Sequence, residues 1–245
     1  MEHERLISVV RNTPLAEYAD YLTQTAVRML TIQRRDTANV KSRFAGSPDL
    51  PPGFSWPQHE DGYYRFLLQL DLGEMSNCIP AQPNSGLLVL FEKFDEGGNM
   101  DWTASDYIVA SYFPDPTALI TTESPAGREV HHPIPITFKS AWDIPLFDYF
   151  IESTYANTPL PKAMWREYSE VRDALHESPD FCFGCPTSRC LGFDPLPGPD
   201  WLQLLNLDSD EDIEWNFHDG GKLMIFIETA RLANCDFTHL STVAG

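Results

Sequence analysis

The sequence predicts an α+β fold: antiparallel sheets with a few helices, built as two related halves in one compact unit spanning residues 1–245. Three observations carry that prediction. Short apolar runs at 65–72, 86–94, 204–208 and 221–226 have the composition of buried strands. Two stretches, 14–34 and 159–177, repeat apolar residues at three- and four-residue steps, the period of an amphipathic helix. A Gly/Pro-punctuated block at 43–71 recurs in shortened form towards the C-terminus.

The first helix is expected to open at Thr13, an N-cap residue, with Pro14 in the first helical position. Leu15, Tyr18, Ala19, Leu22, Ala26, Met29 and Leu30 share one face, and Arg28, Arg34 and Arg35 suit its C-terminal dipole. The block that follows contains Gly46, Pro48, Pro51, Pro52, Gly53 and Pro57, which exclude a long regular element. Interleaved Phe44, Leu50, Phe54 and Trp56 mark it as a loop that packs down. Asp61-Gly62 forms a hairpin-type turn, and strands at 65–72 and 86–94 follow as antiparallel neighbours. Shorter strands are expected at 107–112, 118–122 and 134–138, limited by nearby prolines. Thr158-Pro159 opens the second helix, with Leu160, Met164, Tyr168, Val171 and Leu175 on one face.

The C-terminal section then echoes the first. Gly192-Phe-Asp-Pro-Leu-Pro197 matches Gly46-Ser-Pro-Asp-Leu-Pro51 at an offset of 146. Leu204-Leu-Asn-Leu-Asp208 matches Leu67-Leu-Gln-Leu-Asp71 at 137, and Gly221-Lys-Leu-Met-Ile-Phe226 matches Gly86-Leu-Leu-Val-Leu-Phe91 at 135. Three correspondences in one order imply an ancestral duplication, with halves at about 1–150 and 151–245.

These residues also carry a resemblance. Gly46-x-Pro48-x-Leu50-Pro51, Gly53-Phe54-x-Trp56-Pro57, Asp61-Gly62, Phe66-Leu67-x-Gln69-x-Asp71-Leu72 and Gly86-Leu87-Leu88 form the first half of it. Leu204, Leu205, Asp208-Ser209-Asp210, Trp215, Asp219-x-Gly221 and Phe226 form the second. The pattern resembles the YwqG-like family (domain of unknown function 1963), a bacterial group with no assigned function, over about residues 40–240. The family usually has two glycines where Ala45-Gly46 stands, and a Gly-Gly-Tyr-Pro type motif near Leu191-Gly192-Phe193-Asp194, so this chain is a divergent member. The resemblance implies a single α+β unit with antiparallel sheets and carries over no catalytic residue.

The formal charge is −19, from 36 acids against 17 bases, which argues against nucleic acid or an anionic membrane as partner. A charged partner is expected to be basic. Met1-Glu-His-Glu-Arg lacks the basic, then apolar, pattern of a secretory signal, and no apolar stretch approaches the ~20 residues that span a bilayer. Five cysteines, an odd number, fit a reducing compartment, so a cytoplasmic location is expected.

Two constellations could carry chemistry. Cys182-Phe-Gly-Cys185-Pro-Thr-Ser-Arg-Cys190 has paired thiols at zinc-ligand spacing, and His176 is the nearest fourth ligand, with Cys235 and His218 as alternatives. A zinc site, a redox pair and plain structural cysteines all remain open on this pattern. Asp208-Ser-Asp210-Glu211-Asp212-Ile-Glu214, with Asp219 beyond, imitates the start of a calcium loop, but Ile213 stands where the tight turn needs glycine. That segment therefore reads as a solvated acidic loop. Adjacent His131 and His132 point to opposite faces if they lie on a strand. No nucleophile elbow, phosphate loop, dinucleotide fingerprint or H-E-x-x-H motif is present.

The expected function is a non-enzymatic binding module, of which an immunity-type role is one form. It would offer an acidic, aromatic-bordered surface built from Trp56, Asp61, Asp71, Asp208, Asp210, Asp212 and Asp219 to a basic protein or small ligand. No cofactor is expected on that reading. The alternative is a zinc protein or metal-dependent enzyme built on Cys182, Cys185, Cys190 and His176.

Overall fold

The computed structural model describes residues 3–36, 39–75, 79, 82–94, 101–125, 131–148, 150–187 and 191–245. Helix α1 (Glu4–Arg11) comes first, burying Leu6 and Val10. Thr13 then accepts the Leu15 N–H at 3.2 Å, and Pro14 starts a 3-10 turn that runs into α2 (Ala19–Thr25). There the helix expected over 14–34 stops. Ala26 is extended, and Val27–Arg34 is strand β1. Met29, Leu30, Thr31 and Ile32 are all buried, so both faces are covered, which a one-sided helical stripe cannot achieve. Pairing on two sides overrides a local pattern that fits either period.

The rest alternates short strands with irregular connections. β2 (Arg43–Phe44) is followed by β3 (Asp49–Leu50), by the hairpin β4 (Gln58–His59) and β5 (Gly62–Tyr63) around Asp61, and by β6 (Arg65–Asp71). Next come β7 (Leu87–Glu92), β8 (Ile108–Phe113), β9 (Ile120–Thr121) and β10 (Ile134–Asp143), which runs well past the expected 138. Helices α3 (Glu152–Tyr155) and α4 (Trp165–Leu175) precede β11 (Phe181–Phe183), β12 (Trp201–Asp208), β13 (Lys222–Glu228), α5 (Thr229–Ala233) and β14 (Ser241–Ala244). Tyr168, Val171 and Leu175 of α4 are buried, on the face the periodicity predicts. Among the described residues no helix is long and apolar enough to cross a membrane.

Ten strands form one sheet in the order β14-β13-β12-β11-β1-β10-β2-β6-β7-β8, with antiparallel pairing throughout. The sheet curls until its edges approach: Thr242 on β14 donates to the Trp102 carbonyl at 2.6 Å, and the Tyr112 and Phe237 rings lie 5.4 Å apart. The result is a near-barrel. Its interior is a single apolar cluster drawing on β1, β6, β7, β12 and β13. Outside, α1, α2 and α4 pack together on Ile144, just past the end of β10, through Leu6, Leu22 and Val171. The Gly/Pro loop lays Phe54 and Trp56 over Phe66, Val89 and Phe91, and the 191–201 segment lays Leu191, Leu196 and Trp201 over Met224 and Phe226.

Two four-stranded meanders flank the central β1–β10 pair: β2-β6-β7-β8 on one side and β11-β12-β13-β14 on the other. Their details correspond. Each long strand carries a register shift at one leucine, Leu67 in β6 and Leu204 in β12. Each short strand ends in a non-glycine with positive φ followed by such a glycine, Ala45-Gly46 and Phe183-Gly184. Gln69 donates to the Lys41 carbonyl and accepts the Asp49 N–H, while Asn206 donates to the Pro179 carbonyl and accepts the Thr187 hydroxyl. Ser42 Oγ accepts the Asp71 N–H, and Asp180 Oδ1 accepts the Asp208 N–H. By position, then, the counterpart of Gly46 is Gly184 and not Gly192. The offset there is 138, in line with those of the strands.

Candidate functional site

The corresponding ends of the two meanders are built differently. In the first, Glu74 folds back and accepts the N–H groups of Lys41 and Ser42 at 2.9 and 3.1 Å. In the second, Glu211 occupies the matching place, but position 179 is proline and has no N–H, and the Asp180 N–H is taken by Ser178 Oγ. Glu211 therefore has no such donors to fold onto and is exposed. A cleft of about 620 Å³ opens between 177–180 and 208–212.

Six carboxylates line this cleft, from Glu177, Asp180, Asp208, Asp210, Glu211 and Asp212; Arg34 lines it too, and Arg5 and Lys139 pair with Glu177 from outside it. Arg34 ends β1 and bridges two of the acids, binding Asp210 through Nη1 and Asp180 through Nη2 at 3.2 Å. Burial lowers the Arg34 pKa, but the Asp210 hydrogen bond and the charges of Asp180 and Asp210 outweigh it and leave it raised. Asp180 is nearly buried, and that burial raises its pKa despite the Asp208 N–H and Arg34. Asp208 also pairs with Lys222 at 3.2 Å. Asp210 caps the turn Glu211–Ile213 by accepting the Asp212 N–H at 2.9 Å, and its backbone exchanges two hydrogen bonds with Trp215. Asp208 and Asp210 thus hold the loop together. Glu211 and Asp212 face solvent. Asp219 is exposed too, in an adjoining hollow lined by Glu211, Glu214 and Trp215.

On the other side of segment 176–180 lies a second hollow, of about 540 Å³, lined by Arg172, His176, Phe181, Thr187 and Lys222 among others. Its floor is a buried ionic knot. The Asp143 carboxylate accepts Arg172 Nε and Nη2 at 3.0 Å each, His176 Nε2 at 2.8 Å, and the N–H groups of Cys185 at 2.9 Å and Ile144 at 2.8 Å. Burial alone would raise the Asp143 pKa, but the Arg172 charge and the His176 hydrogen bond hold it far below the usual carboxylate range. Arg172 also donates to the Cys185 carbonyl at 2.7 Å. The knot fastens α4 to the end of β10 and to the turn after β11.

The residues expected to bind zinc are placed otherwise. Cys182 points into the barrel core, His176 is committed to Asp143, and the Cys185 thiol lies near that carboxylate. Burial, then the Asp143 charge, pushes the Cys185 thiol well above its ordinary value, which disfavours the thiolate a metal needs. Cys190 lies outside the described residues. Among the described residues no group of three His, Cys, Asp or Glu is arranged to hold a metal ion. Gly184-Cys185-Pro186 stands where the first meander has Gly46-Ser47-Pro48, so Cys185 sits in the loop pattern of the meander while Cys182 belongs to strand β11.

Of the residues expected to bind a partner, Asp208, Asp210 and Asp212 share the cleft and Asp219 borders it. Trp56 is elsewhere: it donates to the Tyr64 carbonyl at 2.8 Å and packs edge-on to Phe91 at 5.1 Å, a plug over the sheet. Asp71 closes a turn by accepting the Gly73 N–H at 2.9 Å, at the far end of β6 from the Asp61 hairpin. Asp61 is exposed, with its carboxylate 3.9 Å from His59 Nδ1. Arg65, near that hairpin, does reach the Glu214 carbonyl at 3.2 Å, tying the first half to the acidic loop. The expected single surface is therefore split. Arg34, Glu177 and Asp180 do not stand out in the sequence, because Arg34 also fits a helix end, while Asp180 precedes a strand too short to show a period.

A family model described as a domain of unknown function, DUF1963, matches residues 42–243. The chain belongs to the DUF1963 family. The DUF1963 match begins just before β2 and ends inside β14, so it takes in both meanders and the central β10, while α1, α2 and β1 precede it. No curated protein matches the chain.

Proposed function

We propose that this DUF1963 protein is a non-enzymatic binding module whose acidic cleft takes a cationic group, a lysine or arginine of a protein partner or a small basic ligand. One observation carries the reading: of six carboxylates around the cleft, four are paired with Arg34, Lys222, Arg5 or Lys139, and Glu211 and Asp212 have no ion pair among the described residues. A cation entering there meets uncompensated negative charge in a partly desolvated hollow, where attraction is stronger than on open surface. An immunity-type role, masking a basic surface of a partner, is one form of this function. The bulk charge supports a basic partner over nucleic acid or membrane, and the odd cysteine count supports a cytoplasmic setting. The matching bulges, turns and side-chain hydrogen bonds support descent of the two meanders from one duplicated unit.

The test is calorimetric titration of the full chain with a tri-arginine peptide at low and moderate salt. Glu211→Gln with Asp212→Asn should weaken binding roughly tenfold, whereas Glu17→Gln with Asp20→Asn, equal in charge but remote in sequence, should weaken it less than twofold. Equal losses in both variants would mean the peptide responds to net charge alone and would sink the reading.

A further inference from the structure

The near-barrel leaves its sheet two edges, and they are treated differently. At β14 the strand is short, mostly buried and touched by the Trp102 backbone through Thr242. At β8 the strand is six residues long, I-V-A-S-Y-F, half-exposed after Ile108, and paired, among the described residues, only with β7. The Lys93 N–H binds the Tyr107 carbonyl at 2.7 Å, and that pair lies in the β7–β8 register. Tyr107, Val109, Ser111 and Phe113 therefore turn their backbone groups towards β7, and Ile108, Ala110 and Tyr112 turn theirs outward. No hydrogen bond to the outward N–H groups of Ile108, Ala110 or Tyr112 is present among the described residues.

Edge strands are normally blunted by a charge, a proline, a bulge or a cover. β8 has no charged residue, no proline and a continuous register with β7. Its side chains are already placed on both faces, Val109 and Phe113 under the Gly/Pro loop and Ala110 and Tyr112 against the interior. The surface on offer is thus the backbone edge.

We propose that β8 is a strand-addition site for an extended segment of a partner protein, uncharged in its middle and carrying Lys or Arg at both ends. The charges around β8 select that occupant. Before it, Asp106 and Glu60 share one base, Lys93, at 3.3 and 3.7 Å. After it, Asp115 and Asp71 share one base, Lys41, which is 3.9 Å from Asp71 and draws the Asp115 pKa down only after the Thr117 contacts. Each end carries an excess of one negative charge. A second copy is a poor occupant, because antiparallel pairing of β8 with itself brings Asp106 of one chain opposite the region of Asp115 in the other. Main-chain hydrogen bonds would supply affinity and the flanking acids orientation. This edge is distinct from the acidic cleft, and its occupant need not be the same partner.

The experiment uses the full chain with two synthetic peptides, alternating Val and Thr, flanked either by lysines or by glutamates. Amide exchange at Ile108, Ala110 and Tyr112 should slow at least tenfold with the lysine-flanked peptide and change less than twofold with the other. Ala110→Pro removes one outward N–H without touching the β7 ladder, and should abolish the protection. Should that variant fail to fold, Glu60→Lys with Asp106→Lys should reverse the preference between peptides. Unchanged exchange, equal protection by both peptides, or protection that grows with protein concentration in the absence of peptide would each overturn the proposal.

Discussion

The two meanders use the same hydrogen bonds and differ in what fills their ends. Lys41 and Ser42 offer two N–H groups to Glu74, and the first end closes. Pro179 offers none, Glu211 stays out, and the second end keeps its cleft. One residue without a donor separates a capped turn from an acidic site. The same contrast holds for the arginines that serve the two glycine turns: Arg43 binds the Ser47 carbonyl and Asp49 near the surface, while Arg172 binds the Cys185 carbonyl and Asp143 in the interior. Where two parts of a fold are built alike, the differences locate what is particular to each.

The comparison can be broken most easily at the buried pair. Arg172→Met leaves the buried Asp143 charge with only His176 and two backbone N–H groups, and should cost about 3–5 kcal/mol in urea unfolding, against about 1 kcal/mol for Arg43→Met. Equal costs would mean the two arginines are equally placed. The sign of the pH dependence follows from Asp143. Its folded pKa lies below the unfolded carboxylate value, so its contribution is complete above that value and is lost as pH falls through the folded one. An unfolding series extended into the acid range should show this loss in the native chain and lack it in Asp143→Asn.

Gln69→Leu and Asn206→Leu each remove a buried side-chain amide and leave a loop carbonyl and its partner donor unbonded, and each should cost roughly 1–3 kcal/mol. A difference above about 1 kcal/mol would show that the paired bonds do not do equal service. Pro179→Ala sharpens the contrast at the cleft. It restores an N–H, so Glu211 should fold back as Glu74 does, slowing amide exchange at position 179 and weakening tri-arginine binding about threefold. Unslowed exchange there would remove proline as the reason the cleft is open. The smallest effect is expected for Cys185→Ser, which installs the residue of the first meander and should change stability by under about 1 kcal/mol. Stoichiometric zinc in the native chain that is lost in this variant would restore the metal reading.

Much of the scaffold was legible because apolar runs and Gly/Pro punctuation are local signals. Strands β6, β7, β12 and β13 and the α4 face all follow from composition within a few residues. β1 was not legible, since V-R-M-L-T-I-Q-R satisfies a helical period and only its two flanking strands decide otherwise. The site was half legible. A run of acids announces the loop at 208–214, but that Asp208 and Asp210 are tied down while Glu211 and Asp212 are free depends on Arg34, Lys222 and Pro179, all distant from the loop or outside any recognisable pattern. The cysteine spacing does not decide between readings, because a two-residue thiol interval also arises when a glycine turn separates a core residue such as Cys182 from a loop residue such as Cys185.

The place of β1 has a further consequence, for how the chain acquires its shape. β1 lies between β10 and β11, so its register is set by residues 134–143 and 181–183. It is made early and paired late. During synthesis both its edges wait for partners more than a hundred residues away, and closing such long loops is slow. Folding of this protein should therefore show a lag until β11 has emerged, and a nascent chain halted near residue 150 should be prone to aggregate, with the two bare edges of β1 shielded on one side at most.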